Sequence, residues 1–267
     1  LEMVVARAVE RRQLLQENVN LKNEVSARYS FENIIAKSAE MHRIFEAVRK
    51  VADYKTTVLI TGESGTGKEM IAKAIHYHSD RSDGPFVAIN CGAIPDNLLE
   101  SELFGHVKGS FTGATADKEG LFQQAEGGTL MLDELSEMPI DTQSKLLRVL
   151  QEKEARRIGG KTNYKIDCRV VAATNKDLES EVQEGRFRED LYYRLNVMPI
   201  QMPPLRDRRE DIPDLAHFLV SKIAKSQGRE LEIEDSALGV LMRYDWPGNV
   251  RELENCLERA SVMRDPR

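Results

Sequence analysis

The sequence predicts an α/β fold, with a central parallel sheet flanked by helices, followed by a small all-helical domain. Two observations support this: short apolar runs alternate with helix-compatible segments, and the alternation stops at the Pro203-Pro204 pair. The predicted strands lie at residues 57–60, 86–90, 129–132, 168–173 and 197–202. The predicted helices after the prolines lie at residues 211–226, 234–244 and 249–263. We therefore assign residues 30–204 to the α/β part and residues 205–267 to the helical part.

The composition narrows the class of protein. The 267 residues are 41% hydrophobic and 31% charged, and the net charge of −6 gives no global basic field for nucleic acid. The three cysteines, Cys91, Cys168 and Cys256, form no CxxC pair, which argues against a zinc site or a disulfide framework. They fit a reducing cytoplasm. No apolar run reaches the ~18 residues that a membrane span needs, so we expect no membrane partner.

Residues 1–29 differ in character from the rest of the chain. A 3-4 spacing predicts an amphipathic helix there, carried by Val5, Ala8, Leu15 and Val19. Two interpretations stay open: a short coiled coil that joins a neighbouring domain, or a single solvated helix docked on the core. The chain begins at Leu1 and stops in MRDPR, so we expect it to be a piece of a longer protein. Ser38 is suited to cap the next predicted helix.

The segment TVLITGESGTGKEMIAKAI, residues 57–75, predicts a phosphate-binding loop between a strand and a helix. Its glycines let the backbone form a cradle of N–H donors, and the positive end of the helix faces the anion. Lys68 adds a point charge for the β- and γ-phosphates. Glu69 stands where a Ser or Thr normally ligates magnesium, so a carboxylate elsewhere must help to hold the metal. The predicted nucleotide-binding residues here are Gly62, Glu63, Ser64, Gly65, Thr66, Gly67, Lys68 and Glu69.

The run GGTLMLDE, residues 127–134, predicts a buried parallel strand that ends in two carboxylates. The C-terminal ends of strands are where open α/β sheets bind ligands. Asp133 is suited to hold Mg²⁺ through water, and Glu134 is suited to polarise the water that attacks a γ-phosphate. The alternative is an acidic helix cap, which the phosphate loop upstream disfavours.

One loop is anomalous. Between Phe104 and Leu121 the sequence GHVKGSFTGATADKEG carries four glycines and Phe111. A surface loop does not normally offer a phenylalanine unless that residue contacts a partner. The alternative is a flexible loop whose Phe111 folds back onto the body of the protein.

Together these motifs resemble the central AAA+ domain of bacterial enhancer-binding proteins, the sigma-54-dependent transcriptional activators typified by the nitrogen-regulatory response regulators. The resemblance covers about residues 31–263. GESGTGKE is similar to that family's phosphate loop, GGTLMLDE to its Walker B motif, and ESELFGHVKGSFTGA to the segment with its GAFTGA loop. RVVAATNKDL is similar to sensor I, FREDLYYRLNV to the arginine-finger region, and WPGNVREL to sensor II.

The resemblance implies an ATPase that hydrolyses ATP to ADP and phosphate with Mg²⁺ and assembles as a hexameric or heptameric homo-oligomer ring. It also implies that the ring contacts sigma-54 RNA polymerase holoenzyme to open promoters, through Gly109, Ser110, Phe111, Thr112, Gly113 and Ala114. A receiver domain before the chain and a DNA-binding domain past Arg267 are expected outside this sequence, as parts of a two-component system.

Two positions depart from the family pattern. Ser110 replaces the Ala of GAFTGA, but it is small and leaves Phe111 and Thr112 in place, so we expect contact with the sigma factor to be kept. Ala36 stands where relatives often carry Gly.

The resemblance also assigns roles to two arginines. Arg188 and Arg194 would act in trans, on the nucleotide of the neighbouring subunit, because the planar guanidinium pairs bidentately with phosphate oxygens. From spacing alone, a surface salt bridge of these arginines with Glu189 or Asp190 is favoured instead.

Two more side chains are assigned to sensing the nucleotide in cis. Arg251 would contact it from the helical lid; the alternative is an ion pair with Glu252 or Glu254. Asn175 would sense the γ-phosphate through its amide; the alternative is a helix cap.

Glu134 also distinguishes an ATPase from a protein that only binds nucleotide. By the resemblance, Asn90 would hold Glu134 out of line until the partner engages. A rival function is a nucleotide-gated binding module, which has no need of a water-polarising carboxylate. A second rival is another P-loop machine, such as a DNA-translocating or chelatase ATPase, which the GSFTGA loop and the missing basic stripe disfavour.

Overall fold

The computed structural model describes residues 34–263 and, within the first 33, only residues 7, 10–12, 14 and 17. Apart from those positions, the predicted amphipathic helix of residues 1–29 lies outside the described residues and stays a prediction. In the part of the chain that the structure describes, no helix is both long enough and apolar enough to cross a bilayer.

The described chain alternates helices and strands as far as residue 201. The first half of this region contains α1 (Ala39–Ala52), β1 (Val58–Thr61), α2 (Lys68–Tyr77), β2 (Phe86–Asn90), α3 (Asp96–Phe104), β3 (Gly105–His106), β4 (Lys118–Glu119) and α4 (Leu121–Gln124). The second half contains β5 (Thr129–Asp133), α5 (Ile140–Glu152), β6 (Glu154–Arg156), β7 (Asn163–Lys165), β8 (Arg169–Thr174), α6 (Leu178–Gln183), α7 (Glu189–Leu195) and β9 (Met198–Gln201). Short 3-10 turns lie at Cys91–Ala93 and Leu135–Glu137.

The five predicted strands are confirmed, and they form one parallel sheet in the spatial order β2-β5-β8-β1-β9. Asn90 at the end of β2 is paired in register with Asp133 at the end of β5. Thr61 at the end of β1 is likewise paired with Thr174 at the end of β8. Because all these strands run the same way, the residues that follow them meet at one edge of the sheet.

The sheet is buried on both faces, which explains the continuous apolar runs of its strands. Successive side chains of a strand point to opposite faces. Leu130 and Leu132 accordingly join the hydrophobic cluster with α3, α5 and α7. Met131 joins the cluster on the other face, with α1 and α2.

The three predicted helices after the prolines are confirmed as α8 (Ile212–Gln227), α9 (Asp235–Leu241) and α10 (Asn249–Met263). α8 has a proline in its first turn and ends at Gly228, whose φ of 63° suits a helix terminus. These helices surround a third hydrophobic cluster, in which Trp246 and Leu253 are buried. We call this helical part, with the segment from Leu205 that leads into it, the lid.

Two elements of the fold were not predicted from the sequence. β3 pairs with β4, and β6 pairs with β7, in two small antiparallel hairpins. A bridge between His106 and Ile158 brings the hairpins side by side. Ser38 does precede α1, but its hydroxyl makes no cap hydrogen bond to that helix and donates to Asp211 of the lid instead, at 2.8 Å.

Candidate functional site

The phosphate loop joins β1 to α2 and has the backbone that its glycines predict. Three glycines of the loop have positive φ values, which residues with a Cβ rarely adopt: 145° at Gly62, 77° at Gly65 and 101° at Gly67. A Cβ on Gly65 would lie 2.3 Å from the carbonyl oxygen of Gly248, so the lid approaches the loop too closely for any side chain there. Both the conformation and the close approach therefore require glycine at position 65.

Lys68 lies inside this loop. Its Nζ donates to the carbonyl oxygens of Gly62 at 2.7 Å and Glu63 at 2.9 Å. Burial lowers the pKa of Lys68, and the negative charge of Asp133 opposes that shift. Glu69, one residue on, forms an ion pair with Lys73 at 2.7 Å. The loop thus holds a cation at its centre, and the carboxylate at position 69 is engaged by its own helix.

Asp133 and Glu134 lie at the C-terminal end of β5, as predicted. Burial raises the pKa of Asp133 although the charge of Lys68 opposes the shift. The backbone N–H of Glu134 donates to Asp133 Oδ1 at 3.0 Å. Glu134 has a φ of 50°, an unfavourable backbone region for a residue with a long side chain. Such strain is concentrated at functional sites, because the surrounding structure must hold it.

Asn90 and Glu134 each precede a 3-10 turn, and the side chains of both lie against the turn that follows Asn90. Asn90 Oδ1 accepts hydrogen bonds from the backbone N–H groups of Gly92 at 2.9 Å and Ala93 at 3.1 Å. A Cβ on Gly92 would lie 2.5 Å from Glu134 Oε2, so the carboxylate lies directly over this glycine. Gly92 was not predicted as a site residue, because a lone glycine after a strand normally marks a turn. No hydrogen bond joins Asn90 to Glu134 among the described residues, and the role given to Asn90 stays a prediction.

Asn175 is exposed just after β8, at the same edge of the sheet. The helix-cap alternative for Asn175 is wrong, because Asp177 caps α6 by accepting from the backbone N–H of Glu179 at 3.1 Å. The flanking Lys176 forms an ion pair with Glu137 at 2.8 Å. The end of β8 is therefore tied to the turn that follows Glu134.

Arg251 reaches the phosphate loop from the lid. Its Nη1 donates to Ser64 Oγ at 3.2 Å. Neither carboxylate considered as its alternative partner is engaged with it: Glu252 accepts from the backbone N–H of Gly248, and Glu254 pairs with Lys222. The lid therefore offers the Arg251 guanidinium to the loop that would hold phosphates.

Further lid residues hold the phosphate loop, and sequence reasoning missed them. Arg206 donates to both oxygens of Glu63, at 2.9 and 2.6 Å, and these hydrogen bonds lower the pKa of Glu63. Asn249, fully buried with a φ of 54°, donates to Glu63 Oε2 at 3.1 Å and to the carbonyl oxygen of Ser64 at 3.0 Å. Its Oδ1 accepts from the backbone N–H of Leu205 at 2.7 Å.

No local signal could have found these contacts. Arg206 lies in the charged stretch RDRRED, which reads as a solvated surface, and Asn249 follows a Pro-Gly turn. Their partners lie 143 and 186 residues away along the chain.

Arg188 and Arg194 both contact α5. Arg188 pairs with Asp190 through two hydrogen bonds, at 3.0 and 2.7 Å, so the salt bridge favoured by spacing is present within the subunit. Its Nη1 also donates to Ser144 Oγ at 3.1 Å. Arg194 donates to the carbonyl oxygen of Leu150 at 3.0 Å. In the described part of the chain, neither arginine hydrogen-bonds to its own phosphate loop, and their action on a neighbouring subunit stays a prediction.

The anomalous loop lies between β3 and β4. Its tip is closed by a hydrogen bond from the backbone N–H of Gly109 to the carbonyl oxygen of Ala114, at 2.9 Å. Phe111 is 37% exposed, and its ring meets the ring of His106 edge-on at 5.0 Å. The fold-back alternative is thus partly correct, since one side of the ring contacts the body while much of it faces solvent.

Ser110, the departure from the family pattern, lies in the tip of the same loop, next to Phe111. A Cβ on Gly159 would lie 2.7 Å from Ser110 Cβ, so the loop packs tightly on the turn between β6 and β7. In the described part of the chain, Ser110 Oγ is buried without a hydrogen-bond partner. An alanine would lose no hydrogen bond there, which explains how either small residue suits this position.

Two known protein families match this chain. A family described as Sigma-54 interaction domain matches residues 34–201, and one described as AAA+ ATPase lid domain matches residues 206–267. The chain belongs to the sigma-54 interaction domain family. This sigma-54 interaction domain has the AAA+ P-loop fold, and both the family and the fold predicted from the motifs are confirmed.

Its relatives are regulatory proteins. The sigma-54 interaction domain is 57% identical over 255 residues to the Nif-specific regulatory protein of Azotobacter vinelandii, covering 95% of this chain and 49% of the relative. It is 50% identical over 264 residues to the regulatory protein AtoC of Escherichia coli K12, covering 98% of this chain and 57% of the relative. The chain thus spans about half the length of the curated relatives that it matches.

Among solved structures, NtrX from Brucella abortus in complex with ATP superposes with a TM-score of 0.84 at 39% identity, covering 96% of this chain and 56% of that chain. Hsp104 superposes with a TM-score of 0.63 at 16% identity, a likeness of fold alone.

Proposed function

We propose that this chain is the ATP-hydrolysing, ring-forming part of a sigma-54-dependent transcriptional activator that works in the cytoplasm. The observation that carries the proposal is the convergence of four features at one edge of the sheet: the phosphate loop with Lys68, the Asp133–Glu134 pair, exposed Asn175 and the lid residue Arg251. NtrX, solved in complex with ATP, supports ATP as the nucleotide. DNA is bound by another part of the full-length protein.

Each of these side chains has a task in hydrolysis. Lys68 and the loop amides bind the β- and γ-phosphates, Arg251 and Asn175 contact the phosphates, and Glu134 polarises the attacking water. The residues present also fit Mg²⁺, because Asp133 is a carboxylate whose charge burial disfavours and a cation would relieve. Bound there through water, the metal would neutralise phosphate charge.

Arg188 and Arg194 act on the neighbouring subunit. Within one subunit they lie against α5 and make no hydrogen bond to their own phosphate loop among the described contacts. In a hexameric or heptameric ring, each subunit would supply its arginines to the nucleotide of the next. The planar guanidinium would then stabilise the charge that develops on the γ-phosphate.

The 109–114 loop delivers the result of hydrolysis to sigma-54 RNA polymerase holoenzyme. Glu134 lies over Gly92, which belongs to the turn Cys91–Ala93. Helix α3 begins soon after this turn and ends at Phe104, at the base of the loop. Helix α3 therefore provides a short connection through which a change at Glu134 would reach the loop that carries Phe111. The exposed part of the Phe111 ring is the surface offered to the sigma factor.

The experiment that tests this function separates the two activities. Phe111→Ala and Thr112→Ala are expected to hydrolyse ATP at near wild-type rates while failing to bind sigma-54 or open a promoter. An aromatic anchor at an interface contributes ~2 kcal/mol or more, which changes the binding constant by more than about tenfold. Phosphate release, capture of the sigma factor on a transition-state analogue, and promoter opening would be measured in parallel.

Phe218→Ala is the matched control, because Phe218 is an exposed phenylalanine on lid helix α8, away from the loop. Promoter opening by both loop variants would refute the proposed role of the loop. Loss of ATPase activity and solubility together would mean that Phe111 is a core residue.

A further inference from the structure

Gln143 is a fully buried polar side chain on α5 to which the hydrolysis scheme gives no role. Its Nε2 donates to the carbonyl oxygens of Met138 at 2.8 Å and Arg186 at 3.0 Å. Its Oε1 accepts from the backbone N–H of Arg188 at 2.9 Å. One amide therefore joins α5 to two segments of the chain, one at Met138 and one at residues 186–188.

The first of these segments belongs to the nucleotide site of the same subunit. Met138 directly follows the 3-10 turn Leu135–Glu137, which begins next to Glu134. The carbonyl of Met138 is thus only four residues from the carboxylate that would polarise water. If this turn shifts, the carbonyl of Met138 shifts with it, and so does the Gln143 amide that is bonded to that carbonyl.

The second segment contains Arg188, the arginine that we assign to the neighbouring subunit. Arg188 is held by its backbone N–H to Gln143 and by its guanidinium to Ser144 Oγ, the next residue of α5. Its backbone is extended at the start of α7, so no helix hydrogen bond fixes the N–H in place of Gln143. The amide of Gln143 therefore sets where the side chain of Arg188 starts.

The chemistry of the site requires an amide. A glutamate at 143 could accept from Arg188 but could donate to neither carbonyl, and an apolar side chain could do neither. Burial of such a polar group costs free energy unless all its hydrogen bonds are made. The residue is therefore specialised for bridging these backbones, since a leucine or methionine would fill the same space.

Resting on the proposed function, we propose that Gln143 is a positioning residue, which couples the Glu134 turn of one subunit to the Arg188 that this subunit presents to its neighbour. The arginine would act on the neighbour's ATP in a position that depends on the donor's own nucleotide site. Gln143 touches no phosphate itself, and its effect belongs to the subunit that donates the arginine.

Mixed rings test this directionality. In a reference mixture of Lys68→Ala and Arg188→Ala proteins, the active interface combines the intact arginine of the first with the intact phosphate loop of the second. Gln143→Met, which keeps the side-chain volume, is then added to one component at a time. Native mass spectrometry verifies co-assembly, and steady-state phosphate release gives kcat and KM.

We expect asymmetry. With Gln143→Met in the arginine donor, kcat should fall by about 10- to 10²-fold, the cost of an ångström-scale misplacement. KM for ATP should not change, because the binding site is on the other subunit. With the substitution in the nucleotide-binding component, the rate should stay near that of the reference. Gln151→Met, an exposed glutamine on the same helix, should have no effect in either component.

Equal losses in both arrangements would mean that Gln143 only stabilises the fold. No loss in either would refute any positioning of Arg188. An inactive reference mixture that has co-assembled would overturn the action of the arginines in trans, and the role of Gln143 with it.

Discussion

At the scale of single residues, the two carboxylates at the end of β5 have different environments. Asp133 is partly buried near Lys68, and burial raises its pKa. Glu134 has a left-handed backbone and its carboxylate lies over Gly92. The same short motif thus offers one carboxylate that favours a cation and one held beside the turn that follows Asn90. Their substitutions should have different consequences.

Glu134→Gln should bind ATP and fail to hydrolyse it. The amide keeps the size of the side chain but cannot act as a general base, which costs at least ~10²-fold in rate. Binding of a fluorescent ATP analogue and single-turnover phosphate release would be compared. Glu137→Gln is the control, because Glu137 is exposed in the same turn. Loss of ATP binding in Glu134→Gln would make Glu134 a structural residue.

Asp133→Asn should stabilise the ligand-free protein at neutral pH. The folded-state pKa of Asp133 is raised, so its stability contribution is full below the unfolded pKa and is lost as pH rises through the folded value. The neutral amide avoids this loss. The melting temperature of the variant should therefore exceed that of the wild type at pH 7, and the gap should shrink towards the ordinary pKa of 3.8.

Thermal unfolding across this pH range, without nucleotide, is the measurement. Magnesium-dependent ATP binding should weaken in the same variant. A lower melting temperature at pH 7 would show that attraction between Asp133 and Lys68 outweighs the burial of the carboxylate.

At the scale of elements, the lid is fastened to the phosphate loop by buried hydrogen bonds. Asn249 bonds to Glu63, Ser64 and Leu205, and the backbone N–H of Val250 donates to the carbonyl oxygen of Gly65 at 3.1 Å. The start of α10 and the phosphate loop are therefore held together. A substitution at Asn249 should affect both lid stability and nucleotide affinity.

Asn249→Ala should lower the free energy of unfolding by about 2 kcal/mol or more, because it leaves buried partners unpaired and places a Cβ at positive φ without the tolerance of asparagine. Asn249→Gly loses the same hydrogen bonds but avoids the backbone strain at positive φ, so it should destabilise less. Urea unfolding followed by fluorescence of Trp246, the single tryptophan, reports on the lid directly. Equal stability of Asn249→Ala and wild type would show that these bonds do not hold the lid.

The sequence predicted those elements whose signal is local. The strands of the sheet are short apolar runs. Asp133 and Glu134 lie at the end of one of them, and Lys68 begins the helix after the glycine loop that follows another. The hairpins β3–β4 and β6–β7 were missed because their strands have two or three residues each and no repeating pattern. Asn249 and Gln143 were missed because their partners lie far away along the chain or depend on how α5 packs.

At the scale of the whole molecule, the proposed function divides the active site between subunits. A subunit alone has the phosphate loop and Glu134, but its Arg188 and Arg194 lie against α5. We therefore expect ATPase activity per subunit to rise with protein concentration and to level off when rings are complete. Loss of an arginine finger costs up to ~10³–10⁵ in rate, which bounds the rise.

Phosphate release per subunit, measured beside light scattering over the same concentrations, checks this expectation. Arg194→Ala should assemble without the increase in rate. A constant activity per subunit while the mass changes from monomer to ring would contradict a shared active site.

The edge-on contact of Phe111 with His106 has a thermodynamic consequence for the proposed ring of subunits. Such an aromatic pair contributes only about 0.5–1.5 kcal/mol beyond the area that it buries, so we expect the Phe111 side chain to leave His106 in a minor fraction of subunits before any nucleotide is hydrolysed. A partner could capture this minor population without first opening the loop. Nucleotide turnover then needs only to bias an equilibrium that already exists, and a small differential free energy, repeated around several subunits, is enough to do so.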